Sequence, residues 1–284
     1  MKFSIQQEVL LQPISQVVGV VERRQTLPVL ANFLVSAQGN RLSITGTDME
    51  VELIASVDAD VESEGEITVP ARKLVDIVRK LPEGVSIKFV LEGDKLLVSS
   101  GRGRYTLSTL PATEFPATDQ VETLESINIQ EVDLKKLLDK TSFSMANQDV
   151  RYYLNGLLFE FHDGTLTTVA TDGHRLAVCD LGNDLGVAQD RQMIVPRKGV
   201  LELSRMLSET DDPVELALGK NHIRLVKGSM IFTSKLIDGR FPDYQAVIPK
   251  GTDRHIKLMR DSFMLALQRA SILSNEKYKG VRLE

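Results

Sequence analysis

Hydrophobic residues recur at helical spacing in two stretches of the chain. Leu74, Ile77, Val78 and Leu81 stand at i, i+3, i+4 and i+7 in "VPARKLVDIVRKLP" (69–82), and Val200, Leu203 and Leu207 repeat the stripe in "VPRKGVLELSRML" (195–207). Each spacing predicts an amphipathic helix, over 71–81 and 197–207. A Val-Pro pair precedes both, and proline is well tolerated in a first helical turn. Around these helices run short alternating segments: "RLSITGT", "VELIASV", "VSIKFVLEG", "KLLVSS", "TLTTVAT", "HIRLVKG" and "MIFTSKL". Gly, Asn and Asp punctuate them, as antiparallel hairpins require.

The pattern is doubled. Thr47-Asp48 returns as Thr171-Asp172, 124 residues on, and Pro70 returns as Pro196, 126 on. "YTLSTLPATEFP" (105–116) returns as "IFTSKLIDGRFP" (231–242), again at 126. Blocks in one order at nearly constant offset define a tandem repeat. The expected units are 1–124 and 125–250. Residues 251–284 read as the start of a third, since "SFMLALQRASILSNEKYKGVRLE" (262–284) follows the opening of the second unit, with Gly280 standing where Gly156 does. The chain is expected to stop inside that third unit, a piece too short to bury a core of its own. The fold class expected is α+β: antiparallel sheets, with two helices per repeat on one face.

Composition narrows the setting. At 284 residues, 42% hydrophobic and 26% charged, the chain is expected to be globular. The opening "MKFSIQQEVL" has no signal-peptide core, and no apolar run reaches the ~20 residues of a membrane helix. A soluble cytoplasmic protein is expected. Cys179 is the single cysteine, which excludes an intrachain disulfide and a cysteine-based zinc site.

The net charge of -5 hides a segregation of charge. Residues 48–66 carry eight acidic side chains and no basic one. The first predicted helix then carries Arg72, Lys73, Arg79 and Lys80 against Asp76, and the second carries Arg197, Lys198 and Arg205 against Glu202. Basic residues at i and i+7 share a helix face. For one such helix, a solvated face with local ion pairs is the plain reading. The same face in both repeats of an acidic chain favours a polyanion held by its backbone, without sequence readout. Aromatic residues make up 5% and none interleaves with these helices, so a base-stacking platform is not expected there. Two loops are expected to add contacts: Arg23 and Arg24, and "NQDVRYYLNG" (147–156) with Gln148, Arg151, Tyr152 and Tyr153.

"TDGHRL" (171–176) brings an acid, a base and a guanidinium within four residues. Catalysis there is weakly supported. The four histidines have no metal-ligand spacing, and neither a phosphate-binding loop nor a nucleophile elbow is present. Repeat 1 has "TDMEVEL" at the same place, so Asp172 reads as a turn-capping residue common to both units. Gly173, His174 and Arg175 occur in one copy only, as a site grafted onto one repeat would. An enzyme using this cluster, and a structural repeat protein without a nucleic-acid role, are the competing readings.

"TDGHRLAVC", "VPRKGVLELSRML", "FTSKLIDGRFPDY" and "ILSNEKYKGVRL" resemble, in order and along the whole chain, the family of bacterial DNA polymerase III beta subunits, the sliding clamps. That resemblance implies a non-catalytic processivity factor without cofactor or metal. It implies similarly folded domains, three per chain, and a head-to-tail homodimeric ring around double-stranded DNA, with helices lining the hole. The implied partners are the clamp loader and the polymerases and repair proteins that carry a clamp-binding peptide. The residues matching the family's peptide pocket are Leu154, Thr171, Gly173, His174, Arg175, Leu176, Pro242 and Val247. Those for DNA are Arg24, Arg72, Lys73, Arg79, Gln148, Tyr152, Tyr153, Arg197, Lys198 and Arg205. The ring interface falls on Tyr105 and Leu107 at one end, and on Ile272 and Leu273 at the other. The early end is a departure from the family. A chain ending there is expected to carry an incomplete pocket and not to form a closed ring.

Overall fold

The computed structural model describes residues 1–21, 27–116, 122–251, 255–275 and 280–283. They fall into two units, Met1–Phe241 and Pro242–Glu284. The larger unit holds the doubled pattern. Repeat 1 runs β1 (Lys2–Gln6), α1 (Gln7–Val17), β2 (Asn32–Gln38), β3 (Arg41–Thr47), β4 (Val51–Asp58), β5 (Asp60–Ser63), β6 (Gly65–Pro70), α2 (Ala71–Lys80), β7 (Ser86–Glu92), β8 (Lys95–Ser100) and β9 (Gly103–Ser108). Repeat 2 runs β10 (Thr123–Gln130), α3 (Glu131–Thr141), β11 (Gly156–His162), β12 (Thr165–Thr171), β13 (Leu176–Asp180), β14 (Arg191–Pro196), α4 (Arg197–Met206), β15 (Pro213–Gly219), β16 (His222–Lys227) and β17 (Met230–Lys235). The smaller unit holds α5 (Arg260–Ser271) and a short 3-10 turn at Tyr244–Val247.

Both predicted helices form where the stripes placed them. Leu74 and Val78 are buried in α2, and Val200 and Leu203 in α4, with Leu207 buried just past its end. Val75 joins the buried face of α2, while Ile77 and Leu81 are only partly buried. The alternating segments are strands, and every strand pair among the described residues is antiparallel. The acidic run of repeat 1 spans β4, the start of β6 and, between them, β5, an edge strand on β1 that carries Asp60 and Glu62, whereas repeat 2 has no strand over 181–190.

Each repeat contributes two half-sheets. β9, β8, β7 and β1 form one, extended by β5; β13, β12, β11 and β14 form another. The other two halves fuse into one eight-stranded sheet in the order β10-β15-β16-β17-β4-β3-β2-β6. The seam is β17 against β4, with Met230 opposite Ala55, Phe232 opposite Leu53 and Ser234 opposite Val51. One apolar core therefore runs from Phe3 and Phe89, stacked at 4.6 Å, through Phe33, Phe159 and Phe161 to Phe232. Full burial of each such side chain stabilises by about 1.5–3 kcal/mol.

Helices reinforce the seam. A Cβ on Gly19, just beyond α1, would collide with Glu202 Oε2 of α4 and lie 3.2 Å from the Gln16 carbonyl oxygen. Lys198 Nζ donates to the Val20 carbonyl at 2.9 Å and pairs with Asp48. Burial raises the pKa of Glu202 above the usual glutamate value, against the lowering effect of Arg205, whose Nη1 lies 2.6 Å away.

The seam leaves two strands at sheet edges, β9 in repeat 1 and β13 in repeat 2. They stand where β17 and β4 stand in the seam, so each is the unmated counterpart of a strand that pairs elsewhere in the molecule.

Candidate functional site

The Thr-Asp turns of the two repeats share one set of hydrogen bonds. In repeat 2, Asp172 Oδ1 accepts from the His174 and Arg175 amides at 2.9 and 3.0 Å. Thr171 Oγ1 donates to the Arg175 carbonyl at 2.7 Å and accepts from the Gly173 amide at 3.0 Å. In repeat 1, Asp48 Oδ1 accepts from Glu50 and Val51 at 2.9 and 2.7 Å, and Thr47 Oγ1 bridges the Met49 amide and the Val51 carbonyl at 3.0 and 2.9 Å. Asp172 thus has the turn-capping place that the repeat comparison implied.

Surroundings separate the turns. Asp48 spends its second oxygen on Lys198 at the seam, whereas Asp172 spends its own on Arg175 Nε at 3.0 Å. His174 and Arg175 are exposed, and the Arg175 guanidinium lies 5.9 Å from the centre of the exposed Phe143 ring. Leu154 is buried nearby in sequence to this group's neighbour Arg151, and Leu176 is half-buried. Partial burial of Asp172 works against ionisation, but the two amides and Arg175 hold its carboxyl below the usual aspartate value.

Arg151 reaches this turn from the 147–156 loop. Its Nε and Nη2 donate to Asp149 at 3.0 and 2.8 Å, and Nη2 also donates to the Asp172 carbonyl at 3.2 Å. The hydrogen bonds from Arg151 bring the Asp149 pKa down to about 2. In the sequence Arg151 stands only as one more cation on a loop. The signal for its contact with the turn was present, in that glycine replaces the methionine of the sister turn.

The basic residues divide into free and committed groups. Arg72, Lys73 and Arg79 are exposed on α2, although Arg72 Nη2 also donates to the Val21 carbonyl at 2.9 Å. Arg205 is exposed beside Glu202. Arg197 donates to the Met145 carbonyl at 3.2 Å, and Lys198 is drawn into the seam. The alignment of Lys198 with Arg72 therefore pairs residues with different surroundings. Gln148, at φ 57°, and Tyr152 line a cleft of about 790 Å³ with Arg197 and Lys198; Tyr152 meets Tyr153 edge to face at 5.7 Å. Arg24 lies outside the described residues.

Of the residues expected at a ring interface, Tyr105 is exposed on β9, while Leu107 is buried in the core. In the smaller unit, Ile272 and Leu273 are exposed, as is Val247. Pro242 begins that unit.

Among the described residues, one group has potential metal ligands close together: His162, Asp163 and Asp190, all exposed. The histidine faces a carboxylate on each side, with Nδ1 2.6 Å from Asp190 and Nε2 3.4 Å from Asp163. Asp190, then Asp163, raise the His162 pKa, so this group reads as an ion-pair cluster.

Comparison with known proteins matches residues 1–119 to the N-terminal domain of the DNA polymerase III beta subunit and residues 128–243 to its central domain. The chain belongs to the DNA polymerase III beta subunit family. Its full length aligns at 53% identity with 78% of the beta sliding clamp of Pseudomonas aeruginosa, and at 51% with 77% of that of Escherichia coli K12. A crystal structure of the Pseudomonas aeruginosa clamp bound to griselimycin superimposes with a TM-score of 0.94, covering 98% of this chain and 76% of that one. The Caulobacter crescentus clamp, 38% identical, superimposes with a TM-score of 0.90 over 97% of this chain and 76% of its own. The clamp fold of repeated antiparallel sheets with two helices each is common to this chain and these family members. No helix among the described residues is long and apolar enough to cross a membrane.

Proposed function

We propose that this chain is a processivity factor of DNA replication: a sliding clamp that encircles duplex DNA without reading its sequence and tethers polymerases. The observation that carries the reading is the seam. β17 and β4 join two repeats edge to edge, and β9 and β13 present the same two kinds of edge again. Units joined by one repeated heterologous contact close into a ring when the rotation permits. The ring is a head-to-tail homodimer of the full-length protein, built from domains at 1–124, 125–250 and from 251 onward. Tyr105 and Leu107 mark one joining edge, and Ile272 and Leu273 the other.

The clamp is non-catalytic and cytoplasmic, and a clamp loader opens it. Arg24, Arg72, Lys73, Arg79, Gln148, Tyr152, Tyr153, Arg197 and Arg205 meet the phosphate backbone, with Lys198 behind them at the seam. Clamp-binding peptides of polymerases and repair proteins dock at Leu154, Thr171, Gly173, His174, Arg175 and Leu176, to which the family resemblance adds Pro242 and Val247. The exposed Arg175 and His174 beside apolar side chains support this reading, since few anchors suffice in such sites.

The test is topological. Full-length protein assembled on a nicked circular plasmid by the clamp loader is expected to stay through gel filtration and to leave once the plasmid is linearised. Equal retention on both forms would mean that the chain binds DNA without encircling it.

A further inference from the structure

Gly173 has φ +85°, and Met49 at the matching place in repeat 1 has φ +80°. A left-handed backbone alone therefore does not require glycine in this turn, because a methionine holds it in the sister copy. The difference lies above the turn. A Cβ on Gly173 would sit 3.0 Å from both terminal nitrogens of Arg151 and 3.4 Å from its Cζ. The guanidinium occupies the space that any other side chain would take.

That guanidinium is itself held. Asp149 grips it with both carboxylate oxygens and also accepts from the Arg151 amide at 2.8 Å. Asn155 clamps Asp149 in turn, accepting from its amide at 2.9 Å and donating to its carbonyl at 2.8 Å. The Arg197 amide, opening α4, donates to the Asn155 carbonyl at 2.9 Å. A chain of hydrogen bonds thus runs from the start of α4 through Asn155, Asp149 and Arg151 to the carbonyl of Asp172. Its last link turns the edge of the guanidinium, its two terminal nitrogens, toward Gly173, a two-pronged fork that a flexible ammonium cannot supply.

We propose that Arg151 is a positioning residue for the peptide site: its guanidinium, clamped by Asp149, sets its edge against Gly173 and the Asp172 carbonyl and fixes the 171–176 turn so that His174 and Arg175 face the incoming peptide. Position 173 is glycine to admit it. The proposal rests on the reading that this turn receives a peptide.

The experiment uses a synthetic peptide with leucine and phenylalanine anchors and a flanking carboxylate, titrated by calorimetry into the whole chain and its variants. Gly173→Asn adds a Cβ yet tolerates the left-handed backbone. Arg151→Ala and Gly173→Asn are each expected to weaken binding about tenfold, and the double variant no more than either alone, because both remove one contact. Arg151→Lys, keeping the charge without the fork that holds Asp149 and the Asp172 carbonyl together, is expected to lose as much as the alanine variant. A multiplicative loss in the double variant, or wild-type affinity in Arg151→Lys, would overturn the proposal. The Asp149 carboxyl, followed by carbon NMR, gives a readout free of ligand. Arg151 holds its pKa down, to about 2, and the value is expected to be higher in Gly173→Asn than in the parent chain as the guanidinium is displaced; equal values in the two would also overturn the proposal. Absence of peptide binding by the parent chain, with the Asp149 shift present, would remove the peptide-site reading and leave the Arg151–Gly173 contact standing.

Discussion

In repeat 1 the Thr47-Asp48 turn is met by Lys198 from the neighbouring repeat, whereas in repeat 2 the Thr171-Asp172 turn keeps its carboxylate for its own Arg175. The difference extends to the helices beside them. Gly19, past α1, receives Glu202 with no room for a Cβ; 124 residues later stands Phe143, past α3, exposed beneath Arg175. One backbone device thus serves as a socket where two repeats join and as a presented surface where Arg151 of its own repeat backs it and His174 and Arg175 stay exposed. A turn that satisfies its own amides is stable in either setting. Its remaining carboxylate oxygen and its neighbours are then free to differ.

The largest effect that would break this comparison lies at the socket. The Asp48 side chain is 6% exposed and Lys198 24%, against 25% and 56% for Asp172 and Arg175. Lys198→Met leaves a buried carboxylate unpaired and is expected to destabilise by about 2–4 kcal/mol. Arg175→Met breaks an exposed pair and is expected to change stability by under about 1 kcal/mol. Urea unfolding of both variants decides it, and equal losses would mean that the two turns are not energetically distinct.

The next effect concerns packing. Gly19→Ala forces Glu202 or the helix end to shift, at about 1–3 kcal/mol. Phe143→Ala, on the open side, is expected to stay within about 0.5 kcal/mol. Thermal melting of the two variants sharpens the contrast, and a Gly19→Ala chain as stable as the parent would show that the seam is loose.

A smaller effect is in pH dependence, where the two regions have opposite signs. Glu202 has a raised pKa in the folded chain. Its contribution is present below the ordinary glutamate pKa and is lost as pH rises through the folded value. Asp172 has a lowered pKa. Its contribution is present above the ordinary aspartate pKa and is lost as pH falls through the folded value. Glu202→Gln is therefore expected to remove a fall in stability on the alkaline side of about pH 4.5, and Asp172→Asn to remove a fall on the acid side of about pH 4. Urea midpoints measured across pH 3 to 8 read both, and the same sign for both variants would contradict this assignment of charges.

The smallest effect is on nucleic-acid binding. Each phosphate neutralised steepens the slope of log affinity against log salt by about 0.9. Arg72→Ala with Arg79→Ala is expected to flatten that slope, while Lys198→Ala, acting at the seam, leaves it nearly unchanged. A slope that responds to Lys198 alone would move that residue from the seam to the DNA.

The periodicity of Leu74, Val78, Val200 and Leu203, and the recurrence of Thr-Asp, Val-Pro and Phe-Pro at nearly one offset, were enough to establish α+β repeats with two helices each. These are local and periodic signals, so they survive in one dimension. The lone copy of Gly173-His174-Arg175 was legible as a departure from the repeat, and the capping role of Asp172 from its match to Asp48. Tertiary structure alone decided which like residues have like roles. Lys198 and Arg72 align, yet one is drawn to a buried carboxylate because β17 pairs with β4 and brings α4 onto the end of α1. Leu107 reads as an edge residue, yet it points into the core, because strand alternation assigns faces only once the sheet has a partner layer. Arg151 and Gly173 lie 22 positions apart and meet because the 147–156 loop folds back over the β12–β13 turn. Such contacts depend on long-range pairing and on the volume a missing Cβ leaves open, and neither is written in the spacing of residues along the chain.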